Sequence, residues 1–268
     1  MSIDIKKAFT FPFKAANWPQ KLLIGGIFFF AVFIIHTIIG FLNAVIMGTP
    51  MAHYEIQASL IVRGLEAILS FIMSILAILV YAIPFGYALQ SAHNEINGKE
   101  PLLPDWDSKF LDYFKYGMYF FAINILYLFI LVAIAAVPTM ISGVVFGLYQ
   151  DNPIVSLLSL TFVVLFVAPF ILIYLAILPF IATTYADNFN FQDSFKLDKV
   201  FIGISRIIPD YLASLGLSLV ILLLIPFLLV LSVCTCIGIL LIPFLILPAL
   251  LIVLNLFSQA HKQSKIAL

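Results

Sequence analysis

The chain has 268 residues, of which 64% are hydrophobic and 10% charged, with 13 Lys and Arg balanced by 13 Asp and Glu. A soluble domain is roughly half apolar and a quarter charged, so this composition excludes one and points to an integral membrane protein. Zero net charge implies no general attraction to nucleic acid or to anionic lipid and leaves the information in how the charges are distributed.

Residues 3–15 mix Ile5, Phe9, Phe11 and Phe13 with Lys6, Lys7 and Lys14, which predicts a short amphipathic helix in a membrane interface. The charge-free run 22–54 exceeds the roughly 20 residues a spanning helix needs and predicts a first span near 22–47. Such a length is beyond the roughly 7–15-residue core of a cleaved signal, so the span is expected to be permanent. A second span is predicted near 65–90, with Arg63 and Glu66 expected to pair across one helical turn at the outer interface.

In the next gap, Pro101 and Pro104 predict an extended stretch, with Asp105 or Asp107 capping a second interfacial helix near 105–116. Trp106, Phe110, Tyr113, Phe114 and Gly117 fall on one face of that helix, opposite Asp107, Lys109, Asp112 and Lys115. Trp18, Trp106, Phe110, Tyr113 and Phe114 are therefore candidate interfacial contacts. Asp105 and Asp107 are too few to cage calcium, which takes about six or more oxygens.

Spans three and four are predicted near 116–147 and 153–186, followed by a third interfacial helix near 191–207 carrying Phe191, Phe195, Lys196, Lys199 and Ile202. The last charge-free window, 211–261, would be about 76 Å long as one helix, so it must fold back. Cys234 to Gly238 is the predicted hairpin, between spans near 210–232 and 238–258. The expected fold is all-α: one integral membrane domain over 1–268, with six transmembrane helices and short interfacial ones.

Twelve of the thirteen Lys and Arg residues fall in the N-terminal arm, the second and fourth gaps and the tail, with Arg63 alone on the other side. Cytoplasmic loops retain Lys and Arg, so both termini are expected to be cytoplasmic in a multi-pass cell-membrane protein.

Inside the spans the polar residues are His36, Asn43, Asn124 and Asn255, and no Asp, Glu, Lys or Arg lies mid-membrane. Proton relays and ion-coupled sites normally use intramembrane charges, whereas His and Asn in spans usually bond a neighbouring helix. Prolines 138, 169, 179, 226, 243 and 248 lie in or beside the spans and predict either kinks or broken helices around a site. Cys234 and Cys236 are too few for a four-ligand zinc site and read as small apolar residues. Phosphate-loop glycines, paired-His zinc motifs and the Gly-Xaa-Ser-Xaa-Gly elbow are absent, so no catalytic, cofactor-binding or metal residue and no cofactor is expected, and the protein is expected not to be an enzyme.

The inward spans share further features. Ala82-Ile83-Pro84-Phe85 resembles Ile177-Leu178-Pro179-Phe180 and Ile242-Pro243-Phe244, and the exits read Ala92-His93-Asn94, Ala186-Asp187-Asn188 and Ala260-His261-Lys262. Either one unit is used three times or, because the third copy is out of register, the matches are coincidental.

Phe11-Pro12-Phe13-Lys14-Ala15-Ala16-Asn17-Trp18, then Lys21-Leu22-Leu23-Ile24-Gly25-Gly26, resembles the opening of a prokaryotic membrane family known as domain of unknown function 4013. Gly86-Tyr87, Ile96-Asn97-Gly98, Leu103-Pro104-Asp105-Trp106 and Tyr116-Gly117 resemble its most recognisable stretch. The resemblance covers 8–120, and afterwards only the order of spans agrees. More distantly the plan is similar to membrane domains that accompany some glycerophosphodiester phosphodiesterases, whose catalytic barrel has no counterpart here. The family implies no activity for any residue. The expected function is that of a non-enzymatic bundle acting as accessory or scaffold for a cytoplasmic protein partner or for lipid, without nucleic acid. A carrier for a small apolar solute or lipid is the alternative, and an intramembrane enzyme with an unfamiliar site is the third.

Overall fold

A computed structural model describes residues 3–48, 56–107, 109–148, 152–233 and 237–266. It is all-helical: α1 (Ile5–Lys14), α2 (Trp18–Gly48), α3 (Ile56–Ile96), α4 (Phe110–Leu148), α5 (Pro153–Asn188), a 3-10 turn (Phe191–Phe195), α6 (Leu197–Arg206), α7 (Ile208–Val233) and α8 (Ile237–Ile266). Six of these, α2, α3, α4, α5, α7 and α8, are long and apolar enough to cross a membrane. Cys234 and Cys236, in the predicted hairpin, lie outside the described residues.

Two short helices flank the spans where the sequence places interfacial ones: α1 within 3–15, and the 3-10 turn with α6 within 191–207. The third expected helix, 105–116, is corrected. Residues 101–107 are irregular, and the helix that starts at Phe110 runs without a break into the third span. Asp105 caps nothing, because its carboxylate Oδ1 lies 2.7 Å from Lys21 Nζ. At the far end, Arg63 and Glu66 are not within ion-pair distance of each other. The prolines break no helix: Pro84, Pro138, Pro169, Pro179, Pro226, Pro243 and Pro248 all lie inside continuous helices. Neighbouring helices and local adjustment let membrane helices tolerate the lost donor.

The end of the bundle that gathers the lysines is its basic end. Three spans return to it, α3, α5 and α8, and these touch one another to form the interior. Two of the three departing spans pack into a groove between two returning ones. α2 lies against α3 and α8, and α4 against α3 and α5. α7 lies against α8 and reaches α5 through Tyr211, whose ring is 6.0 Å from Phe180 and whose hydroxyl donates to the Ala176 carbonyl. This arrangement is threefold in outline, as one unit used three times would produce.

Burial is concentrated at the basic end, where Tyr87, Tyr113, Phe180, Tyr185 and Phe257 are almost wholly enclosed. Farther along, α4 and α5 expose Phe129, Met140, Leu148, Leu157 and Leu165, the surface expected against lipid tails. The 41 residues of α3 make about 62 Å of helix, against a hydrocarbon core of roughly 30 Å. The helix is therefore longer than the apolar slab, and its last turns carry Gln90, Asn94 and Glu95, which face polar partners.

Candidate functional site

The recognisable residues of the second gap meet in one clasp. Pro101 and Pro104 hold the chain extended after α3, which turns Trp106 back into the bundle between α2, α3 and α4. The Trp106 ring stacks on Tyr87 at 4.0 Å and 4°, and its Nε1–H donates to the Lys21 carbonyl at 2.9 Å. Tyr87 donates to the Pro104 carbonyl at 2.9 Å and Tyr113 to the Asp105 carbonyl at 2.6 Å. Lys21, itself buried, spans from the Leu103 carbonyl at 3.0 Å to Asp105. The crossing of α3 over α4 beneath the clasp needs two glycines. A Cβ on Gly86 would lie 2.6 Å from the Tyr113 carbonyl carbon, and one on Gly117 2.6 Å from that of Ala82.

A second network fastens α1. The buried Glu95 carboxylate accepts from Lys7 Nζ at 2.6 Å and from Asn255 Nδ2 at 3.2 Å. Gln259 donates to Asn255 Oδ1 at 2.8 Å and accepts from the Asp4 backbone N–H at 2.8 Å. Ala8, Phe11 and Pro12 are buried on the docked side of α1, while Ile5, Phe9 and Phe13, four residues apart, are exposed on the other.

The three exits converge. His93 Nδ1 donates to the Ala186 carbonyl at 2.8 Å, and its Nε2 accepts from Lys99 at 3.0 Å. His261 Nε2 lies 3.7 Å from Asp187 Oδ2, and Lys265 pairs with the same carboxylate. Lys262 reaches the Glu95 carbonyl at 3.5 Å. Phe189 ends α5 in the left-handed conformation at φ 54°, and stacking on Tyr116 at 3.7 Å holds it there. In the 3-10 turn, Lys196 and Asn188 hydrogen-bond the Asp193 carboxylate and hold it below the usual carboxylate range.

Between α5, α6 and α8 this end contains a cavity of about 400 Å³ lined by Phe180, Asp187, Lys199, Arg206, His261 and Lys265, among others. Its volume is that of an ordinary small-ligand site. Among the described residues, no group of three or more His, Cys, Asp or Glu could hold a metal ion.

The structure separates the residues singled out from the sequence. Trp106 and Tyr113 are buried in the clasp, so they are not surface contacts. Phe114 is half-buried, and Phe110 and Trp18 are exposed, Phe110 tilted against Phe28 and Trp18 packed edgewise on Phe13. His36 is exposed and bonds the Val32 carbonyl of its own helix at 3.0 Å, not a neighbouring helix. The side chain of Asn43 lies outside the described residues. Asn124 joins α4 to α5 by accepting from the Tyr174 hydroxyl at 2.7 Å. Asn255 lies on α8 and belongs to the Glu95 network at the basic end. Glu95, Asp187 and His261 escaped notice as a group. The matching exit triplets were the available signal for the last two, and they do meet.

Fold and site together define a multi-pass helical membrane protein whose polar order is gathered at one end. A family model described as "Protein of unknown function (DUF4013)" matches residues 69–234, and the chain belongs to that family. The match continues well past residue 120, and the arm 11–26 lies outside it. No curated protein and no solved structure matches the chain.

Proposed function

We propose that this protein is a non-enzymatic membrane platform: a six-span bundle that seats α1 and α6 in the headgroup layer of the cytoplasmic leaflet and presents its basic end, as accessory or scaffold, to lipid and to a partner bound there. The observation that carries this reading is the pair of amphipathic helices at one end, each with one side fastened to the bundle and an apolar stripe left open. On α1 the stripe is Ile5, Phe9 and Phe13; on α6 it is Leu197, Phe201 and Ile202. Lysines flank both stripes, the pattern that draws an amphipathic helix to an anionic interface. The retention of Lys and Arg on the cytoplasmic side supports placing this end, with both termini, there.

Support against a catalytic role comes from what the recognisable residues do. Tyr87, Asp105, Trp106 and Tyr113 are consumed in holding helices together. The carrier reading gains no such support, since Asn124 and Asn255 are spent on bonds between helices.

Spin labels attached at Phe9→Cys and Phe201→Cys in lipid vesicles test the seating. Labels accessible to oxygen and shielded from a water-soluble nickel complex are expected, and the opposite accessibility would overturn the reading. Mass spectrometry of native nanodiscs is expected to find a stoichiometric protein or an enriched lipid co-purifying with the chain, and the absence of both would remove the platform role.

A further inference from the structure

The cavity between α5, α6 and α8 holds charges that folding does not use. Its two carboxylates are already compensated: Asp187 pairs with Lys265, and Asp193 pairs with Lys196. Lys199 and Arg206 also line it, and among the described residues neither side chain makes a hydrogen bond or an ion pair. Their acidic sequence neighbours, Asp198 and Asp210, are not within ion-pair distance of either. With Lys196, from outside the lining, neutralising Asp193, the cations Lys199 and Arg206 are left with no ion-paired carboxylate.

His261 supplies the second observation. It is 7% exposed, its ring packs 5.1 Å from Phe180, and neither ring nitrogen has a hydrogen-bond partner, since Asp187 at 3.7 Å is too far. Buried polar groups are nearly always satisfied, so two orphaned nitrogens on a cavity wall call for a partner that enters the cavity. A free lysine, a free guanidinium and an unsatisfied imidazole lining one space match the acceptor oxygens of a tetrahedral anion, which a guanidinium grips in bidentate fashion. The rest of the lining mixes polar Thr184, Asn188 and Ser264 with apolar Phe180, Ile202 and Gly203, and Ile202 also belongs to the exposed stripe of α6.

We propose that this cavity binds a phosphate-bearing anion, gripped by Arg206 and Lys199 and hydrogen-bonded by His261. The phosphate belongs either to an anionic lipid headgroup or to a soluble phosphate compound. The lipid source rests on the platform reading, because it requires α6 to lie in the headgroup layer, and the soluble source does not.

The test uses the full chain in nanodiscs. In phosphatidylcholine discs doped with phosphatidic acid, native mass spectrometry counts retained anionic lipid. In pure phosphatidylcholine discs, calorimetry measures binding of inorganic phosphate. Each charge-assisted bond contributes enough that K199Q with R206Q is expected to weaken the anion by about tenfold or more. His261→Phe, which keeps the ring packing and removes both nitrogens, is expected to weaken it severalfold without lowering the melting temperature. Lys109→Gln with Lys115→Gln removes the same charge from exposed sites outside the cavity and is expected to leave binding unchanged. Retained phosphatidic acid lost in the cavity variants identifies a lipid, whereas phosphate binding lost in the same variants without retained lipid identifies a soluble ligand. The proposal is overturned if neither anion binds, if K199Q with R206Q and His261→Phe leave binding unchanged, or if the Lys109 and Lys115 pair weakens it equally. Spin-label depth at position 201 is read separately, so a failed seating and a failed cavity are distinguishable.

Discussion

Gly117→Ala isolates the contact on which the basic end depends. In an exposed helix this exchange stabilises by about 1 kcal/mol, because Ala is the better helix former. Here the new Cβ would meet backbone: the Ala82 carbonyl carbon at 2.6 Å and its Cα at 2.8 Å. Ordinary contact begins at 3.4 Å, so α3 and α4 must separate by about 0.8 Å at the least, and a carbonyl group cannot rotate away as a flexible side chain would. Overpacking of this kind costs about 1–3 kcal/mol. The separation also pulls on the clasp, in which Tyr113 of α4 reaches Asp105 and Tyr87 of α3 reaches Pro104, and losing one such bond costs about 1 kcal/mol. Set against the propensity gain, the net destabilisation is about 1–3 kcal/mol. Thermal unfolding in detergent, followed by tryptophan fluorescence, measures it, because Trp106 stacks on Tyr87 within the clasp. Gly216→Ala is the internal control, since a Cβ there meets nothing within 4 Å. A midpoint several degrees lower for Gly117→Ala, with Gly216→Ala unchanged or slightly higher, is expected. A Gly117→Ala midpoint at or above wild type would refute the close crossing.

Trp106→Phe keeps an aromatic ring on Tyr87 and removes the Nε1–H bond to Lys21, so a loss of about 1 kcal/mol is expected in the same assay, while Trp106→Ala is expected to cost about 3–5 kcal/mol. If Trp106→Ala were neutral, Trp106 would be a surface residue after all. Glu95→Ala removes the acceptor shared by Lys7 and Asn255, and amide hydrogen exchange over α1 is expected to quicken at least severalfold while exchange in α4 stays unchanged. Equal exchange in α1 before and after would show that its buried apolar side alone holds it.

The spans were legible because a bilayer demands about 20 apolar residues in a row, and few other structures leave that mark. The role of Trp106 was not. Helical spacing put Trp106, Phe110 and Tyr113 on one apolar face, but the same pattern serves a face turned to lipid and one turned to protein. Deciding between them needed the irregular stretch 101–107, which keeps Trp106 out of the helix that begins at Phe110. His36 misled for a related reason. A lone imidazole in a span satisfies itself on its own helix, at the Val32 carbonyl, so its presence does not demand a neighbour. The exit triplets were readable as a pattern, yet sequence alone did not say that three helix ends would touch.

That contact explains why recognisability and order coincide in this chain. Between helices surrounded by lipid there is little hydrophobic driving force, so close backbone approach and hydrogen bonds must select one packing. Gly86, Gly117, Tyr87, Trp106, Glu95 and Asn255 supply both at the basic end. The outer halves of α4 and α5 offer mainly exposed apolar side chains. The residues that make the second gap recognisable are thereby accounted for by folding, which removes them as pointers to function. What remains around a ligand-sized space is a set that folding leaves idle: Lys199 and Arg206 without side-chain partners and His261 with both nitrogens unmet, all lining the same cavity. An unsatisfied buried imidazole lowers stability, and beside two uncompensated cations the proposed anion is the partner that would complete it.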